Sequence, residues 1–435
     1  MAISGIYVGV LLVGMLPIML FGTSPTSAFG TLGLVVAIWL LLGLVDWVLA
    51  APARKVSIER ELPDRVRLGE TLTSTLFVTN LGPRTLRAVI RDGWEPSAGA
   101  PRMRVKRFIP VGERRAVHTA LKPWRRGDRR SEFVVIRSWG PLHLTARQAV
   151  LKAPGRVRIL PPFNSRKHLP SRIARLRELD GQTTLQVRGQ GTEFDSLRDY
   201  VRGDDVRSID WRATARQQEL VVRTWRPERD RRVIIVIDSG RTAAARIEDE
   251  TRLDTAIESA LLLAALATRA GDRVELVAFD QRVRARVQGF SGSVLLSKIT
   301  DAMANVEPEL IEMNWQEVPR LVREVTTHRA LVVLLTTADN AGTARGLLEM
   351  LPSITHQHLV MVASVIDPET EELAEELSDR DAVMRAAAAE RAMLDAGQVR
   401  RTMTRLGADA VAATPYELPP RVADRYLELK KAGRL

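Results

Sequence analysis

Two apolar runs, residues 6–21 and 32–50, open this chain, and neither they nor the turn between them holds a Lys or Arg. Crossing the hydrocarbon of a bilayer takes about 20 apolar residues. The second run approaches that length, and the first reaches it only with Ser4 and Gly5. Together they predict a transmembrane helical hairpin over residues 1–55, turning through the uncharged residues 22–27. Arg54 and Lys55 follow the second run at once, and an excess of basic residues marks the cytoplasmic side. The expected placement is therefore the inner (plasma) membrane, with two spans and the soluble domains in the cytoplasm. A competing reading is a secretory signal cleaved near Ala51-Pro52-Ala53, but it lacks a basic n-region and the apolar stretch is doubled. Asp46 is the only charge inside either run. An acid inside a membrane can be functional; one turn from the cytoplasmic end and beside Trp47, this one reads as interfacial.

The remainder of the 435 residues has room for two or three domains. A net charge of +12 fits either a nucleic-acid binder or a protein lying beside anionic lipid. The excess is Arg scattered among Asp and Glu, without the aromatic and basic ladder of single-strand binders, so no nucleic acid is expected. With no Cys, disulfides, thiolate metal sites and a Cys nucleophile are excluded. None of the six His is followed by Glu, which removes the zincin motif; His356 and His358 share a strand face at most.

Residues 56–162 read as an all-β unit, a small sandwich: short runs of Val, Thr, Ile and Phe are punctuated by Gly82-Pro83, Asp92-Gly93, Gly127-Asp128 and Gly140-Pro141. Strands are expected over residues 73–79, 86–90, 103–108 and 132–136. Residues 163–231 form a basic connector, helix-like over 171–179 and lying on the surface. From residue 232 the pattern changes to continuous apolar strands (233–237, 274–279, 331–335, 359–365, 408–413) alternating with amphipathic helices. Helices are expected over 253–270, 294–303, 315–325, 343–351, 371–394 and 419–431, and 283–287 is a hairpin partner. That alternation predicts a mostly parallel α/β sheet over 232–435, covered on both faces. Ligand sites on such sheets lie at the carboxyl ends of the strands. Here those ends are residues 238–242 and 336–339.

The densest constellation is residues 188–216. Gly189 and Gly191 favour a tight loop, Gly203-Asp204 a turn, and Arg198, Arg207 and Arg216 are spaced to pair with Glu193, Asp204 and Asp210. Such a network would stiffen the segment against the next domain. Gly189-x-Gly191 is weak as a phosphate loop, because no strand precedes it and the chain has no Walker Gly-Lys.

The pattern of Gly189, Gly191, Glu193, Phe194, Leu197, Arg198, Tyr200, Gly203, Asp204, Asp205, Arg207, Ile209, Asp210, Trp211, Ala215 and Arg216 resembles the signature of the family catalogued as domain of unknown function fifty-eight. The resemblance extends to Arg125-Arg126-Gly127, Trp139-Gly140-Pro141-Leu142, Val365-Ile366-Asp367-Pro368 and the chain's last residues. It implies a membrane hairpin, a β-sandwich and a Rossmann-like domain of the von Willebrand factor A type, commonly encoded beside a MoxR-type AAA ATPase.

Such domains hold Mg²⁺ at an adhesion site built from D-x-S-x-S, a Thr and a later Asp, with hard oxygen ligands and one open position. Asp238 and Thr242 match the ends of the first element, Gly240 stands where a Ser is needed, and Asp339 lies near the later Asp. The site reads as degenerate, with Mg²⁺ its only candidate cofactor. The alternative is that Asp238 and Asp339 cap helices or pair with Arg241. The resulting expectation is a membrane-anchored interaction module, an adaptor or co-chaperone-like partner of a MoxR-type AAA ATPase, touching lipid and other proteins, and not an enzyme. A contrasting reading is a metal-assisted hydrolase using Asp204, Asp205, Asp210, Asp238 and Asp339. A third is a basic nucleic-acid or lipid-surface binder. Ser291 falls one residue short of a nucleophile elbow.

Overall fold

Alternation of apolar and polar residues builds the first of two units in the computed structural model, Met1–Pro162 and Phe163–Leu435. The structure describes residues 2–101, 104–186, 193–202, 204–226 and 231–435. In Leu72–Asn80, Leu72, Ser74, Leu76, Val78 and Asn80 point inward, as the two-residue period of a strand requires. Val56–Glu61 and Arg114–Leu121 flank it in a three-stranded antiparallel sheet. A larger sheet runs in the order Ala2–Ile3, Thr145–Leu160, Gly127–Trp139, Leu86–Trp94, Val105–Ile109, with Arg65–Arg67 parallel beside Thr145–Leu160. Leu76 and Val78 of one sheet meet Leu86, Ala88, Ile90, Val134 and Ile136 of the other in one core. Arg60 crosses this core and grips Asp92 through both guanidinium nitrogens at 2.9 and 2.8 Å, also donating to Ser74, Ser131 and the Ala153 carbonyl. The strand expected from residue 103 begins at Val105; residues 102 and 103 lie outside the described ones.

The two apolar runs behave differently from each other. Ser24 caps Pro25–Leu49 in a capping box, and this 25-residue helix is, among the described residues, the one long and apolar enough to cross a membrane. The first run gives Gly5–Val13 and Met15–Phe21, of 9 and 7 residues. Pro17 has no N–H for the carbonyl of Val13, which accounts for the break. Of the two expected spans, the second is thus one helix long enough to cross and the shorter first is two short helices.

In the second unit the sheet order is Val283–Val287, Arg273–Phe279, Arg232–Asp238, Leu331–Leu335, Leu359–Val365, Ala408–Ala413, parallel except for the first, which forms a hairpin. Alternate residues of the central strand feed opposite cores. Val233, Ile235 and Ile237 pack on Arg252–Arg269 and Leu418–Lys431. Ile234 and Val236 pack on Val318–Val325 and Ala341–Thr355. The helix in the connector is longer than expected, Leu169–Gln186, and Leu169, Ile173, Leu176 and Leu179 lay it on the first of these cores. Spacings of three and four residues make an amphipathic stripe, so it is not a free surface strap. The single helix expected over 371–394 is instead two, Pro368–Glu375 and Arg380–Arg405, the second capped by Asp379 through the Ala382 N–H at 2.7 Å.

Candidate functional site

Asp238 ends the central strand, 3% exposed, and both its oxygens are already engaged. Oδ1 accepts the Gly240 N–H at 2.8 Å; Oδ2 accepts the hydroxyls of Thr336 at 2.6 Å and Thr242 at 3.3 Å. Burial pushes the Asp238 carboxyl above the usual carboxylate range, against these hydrogen bonds, and the charge of Asp280 adds to the rise. Its neighbour Ser239 donates to Asp280, which also accepts the N–H groups of Gln281 and Arg282 and the Arg284 guanidinium at 2.5 Å. Burial opposes ionisation of Asp280, but the hydrogen bonds from Arg284, Arg282 and Gln281 outweigh it and hold the carboxyl below its ordinary value. Sequence reasoning did not single out Asp280; its only signal was its place at the end of a buried strand.

These residues do not fit a Mg²⁺ adhesion site. A Cβ on Gly240 would meet the Ile311 carbonyl at 2.8 Å and Asp238 Oδ1 at 3.0 Å, so a Ser has no room there. Asp339 turns away to Arg252, at 2.5 Å. The crevice between Asp238 and Thr336 measures about 10 Å³, space for one water at most. Arg241 pairs with Glu312 rather than with either aspartate.

The segment with the dense charges is a small lobe. Glu193–Asp199 pairs antiparallel with Val221–Arg226, and Trp211–Gln217 is a short helix between them. Asp210 caps that helix through the N–H groups of Arg212 and Ala213, both at 3.0 Å, and takes the Arg223 guanidinium at 2.8 Å. The Ala213 N–H first, then Arg223, hold its carboxyl below the ordinary value. Arg198 binds Asp204 at 2.6 Å, as its spacing suggested, and Asp204 also accepts the Val201 N–H. Arg207 and Arg216 make no ion pair with described residues, and Arg198 and Arg223 are 40% and 46% exposed. The network that the spacing suggested is thus represented by two pairs whose arginines face solvent. Around it Trp211, Val201 and Val206 are 68%, 61% and 62% exposed. Leu197 is partly exposed, and the Tyr200 N–H donates to Leu220 at 2.7 Å. Gly189, Gly191 and Gly203 lie outside the described residues, as do the side chains of Glu193 and Phe194.

Residues 196–410 match the family described as "Protein of unknown function DUF58". The chain carries a DUF58 domain. That domain takes in most of the lobe, Asp238, Thr242 and Asp339, while the glycines at 189 and 191 precede it. No curated protein matches the chain. Similar solved structures include the SpRpn10 VWA domain, 10% identical over 45% of this chain and 94% of that one, TM-score 0.27. Another is proximal thread matrix protein 1 from the mussel byssus, with a zinc-occupied MIDAS motif, 11% identical over 46% and 45%, TM-score 0.25. The CARDB domain of a Pyrococcus furiosus protein, solved with di-metal ions, is 14% identical over 26% and 94%, TM-score 0.19.

Within the DUF58 domain the five aspartates of the hydrolase reading are not brought together. Asp204, Asp205 and Asp210 sit in the lobe, Asp238 in its hydrogen-bonded crevice and Asp339 on Arg252. Among the described residues no group of three or more His, Asp or Glu could hold a metal ion. His356 is exposed while His358 is buried, its pKa lowered by that burial.

A second constellation lies outside the DUF58 domain, at the foot of the long apolar helix. Asp46 is fully buried and accepts the N–H groups of Leu142, Leu144 and Thr145 at 2.7, 2.9 and 2.8 Å. A Cβ on Gly140 would come within 2.2 Å of its carboxylate. Arg147 donates to the Trp47 carbonyl at 2.9 Å and stacks over the Trp47 ring; Arg84 donates to the Val48 carbonyl. Both arginines thereby satisfy carbonyls that a helix end leaves open. Ser4 donates its N–H to the Leu144 carbonyl, next to where Asp46 docks.

Proposed function

We propose that this chain is a membrane-anchored protein-binding module whose DUF58 domain offers the lobe to a partner, and that a MoxR-type AAA ATPase is the partner to test first. The partner is inferred from the family resemblance of the signature residues; the anchor is argued from the residues themselves. In the most apolar stretch of Pro25–Leu49 only 11% of the residues are buried, whereas a core helix of a water-soluble protein is covered. A removable signal is a poor reading, because cleavage near residues 51–53 would strip Asp46 from its three donors and Ala51 from the sandwich core.

Ser4 and Asp46 dock on the same segment of the sandwich, so the chain leaves it and returns to it at one place. Tyr7 and Trp39 hold the outgoing and returning helices together, their rings stacked 4.2 Å apart and each donating to the other's carbonyl, at 2.8 and 2.9 Å. The two-span hairpin is therefore our reading of the topology, with the kinked residues 5–21 reaching about 25 Å against a core of about 30 Å. Local thinning closes a mismatch of that size. The basic pair Arg54 and Lys55 after the second run supports the reading that the soluble units lie on the cytoplasmic side.

The observation that carries the binding half is the exposure of Trp211, Val201 and Val206, all on the lobe. Exposed aromatic anchors amid arginines are the composition of interface hot spots. The test is binding of a purified MoxR-type ATPase to the full chain in nanodiscs. Trp211→Ala is expected to weaken binding at least tenfold with an unchanged melting temperature. Equal binding by wild type and Trp211→Ala, or none by wild type, contradicts the proposal.

A further inference from the structure

The foot of the anchor helix is ringed by cations. Arg84 and Arg147 hold its last carbonyls, and Arg54 and Lys55 follow in the chain. None of the four makes an ion pair with described residues, and each guanidinium keeps donors beyond those spent on the helix end. Asp46, buried at this place, spends its oxygens on backbone N–H groups and forms an ion pair with none of the four, and its single charge leaves the ring cationic. Two apolar side chains stand out beside the ring. Leu142 is 51% exposed on the loop that docks Asp46, and Leu81 is 63% exposed on the loop tied to the Lys55 carbonyl at 3.0 Å. Trp47, stacked under Arg147, is placed as the interfacial aromatics of membrane proteins are.

We propose that the sandwich unit lies on the membrane surface, where Arg54, Lys55, Arg84 and Arg147 bind anionic phospholipid headgroups and Leu81 and Leu142 enter the headgroup layer. This rests on the anchor reading. The arginines that cap the helix leave it no flexible linker, so the sandwich is held at the bilayer and the cations meet phosphates where the helix emerges. Basic residues near an anionic leaflet are attracted to it within a Debye length.

The chain has no Cys, so single cysteines carrying an environment-sensitive fluorophore report depth directly. The full chain is reconstituted in nanodiscs of phosphatidylcholine, alone or with one-third phosphatidylglycerol. Labels are placed at Leu81→Cys and Leu142→Cys, at Leu41→Cys within the anchor helix, and at Leu310→Cys, 77% exposed in the other unit. Labels at 81 and 142 are expected to emit to the blue of the one at 310. The shift should grow with phosphatidylglycerol and shrink when Arg54→Gln, Lys55→Gln and Arg84→Gln are combined. Water-like emission at 81 and 142 with apolar emission at 41 overturns the surface contact and leaves the anchor standing. Blue emission indifferent to phosphatidylglycerol overturns headgroup recognition. Water-like emission at 41 overturns the anchor itself.

Discussion

Thr145 donates its backbone N–H to Oδ2 of Asp46 at 2.8 Å, across 99 positions of sequence, while its hydroxyl donates to the Gly43 carbonyl at 3.0 Å. An apolar helix is thereby fastened to a β-sheet by a carboxylate. Asp46→Ala would leave three N–H groups without their acceptor, and a buried unpaired donor costs about 1–3 kcal/mol. The full chain in detergent is expected to melt well below wild type. A melting curve superimposable on wild type would show that Asp46 does not hold the helix.

The ion pair between Arg60 and Asp92 sits inside the sandwich with side-chain exposures of 4% and 3%. Removing one partner strands the other charge, at a cost of about 3–5 kcal/mol. Asp92→Ala should lower stability by that order in chemical denaturation. The double variant Arg60→Met, Asp92→Leu should be milder than Asp92→Ala alone. If the double variant loses as much as the two single losses added together, the charges are not coupled.

Asp238 has a raised carboxyl pKa, with burial the main cause. The folded state then holds a proton that the unfolded chain releases near its ordinary value of about 3.9. This group's contribution to stability is full below that value and is lost as pH rises through the folded one. Asp238→Asn has no charge to bury, so its stability relative to wild type should increase from about pH 4 upward. Thermal melts of both proteins across that range check it. An Asn variant that falls further behind wild type as pH rises contradicts the assignment.

The parallel sheet was legible because its strands are continuous apolar runs such as Leu331–Leu335, which only burial on both faces explains. The break between Pro368–Glu375 and Arg380–Arg405 was signalled by Asp379, a capping residue that the helical period on either side masked. The pairing of Asp210 with Arg223 was not legible, since the hairpin partner Val221–Arg226 had not been recognised as a strand. Least legible was Asp46, read as interfacial. Its partners are backbone N–H groups, which every residue but proline carries, so no side-chain pattern announces them.

The most direct measurement is the sidedness of the anchor. With no native Cys, Thr23→Cys in the turn between the apolar helices and Leu435→Cys at the chain's last residue can each be challenged with a membrane-impermeant maleimide in intact cells. The account predicts that Thr23→Cys is labelled from outside, and that Leu435→Cys is labelled only after the membrane is permeabilised. Labelling of both positions in intact cells, or of neither before permeabilisation, would contradict a hairpin that crosses the membrane and returns to the sandwich.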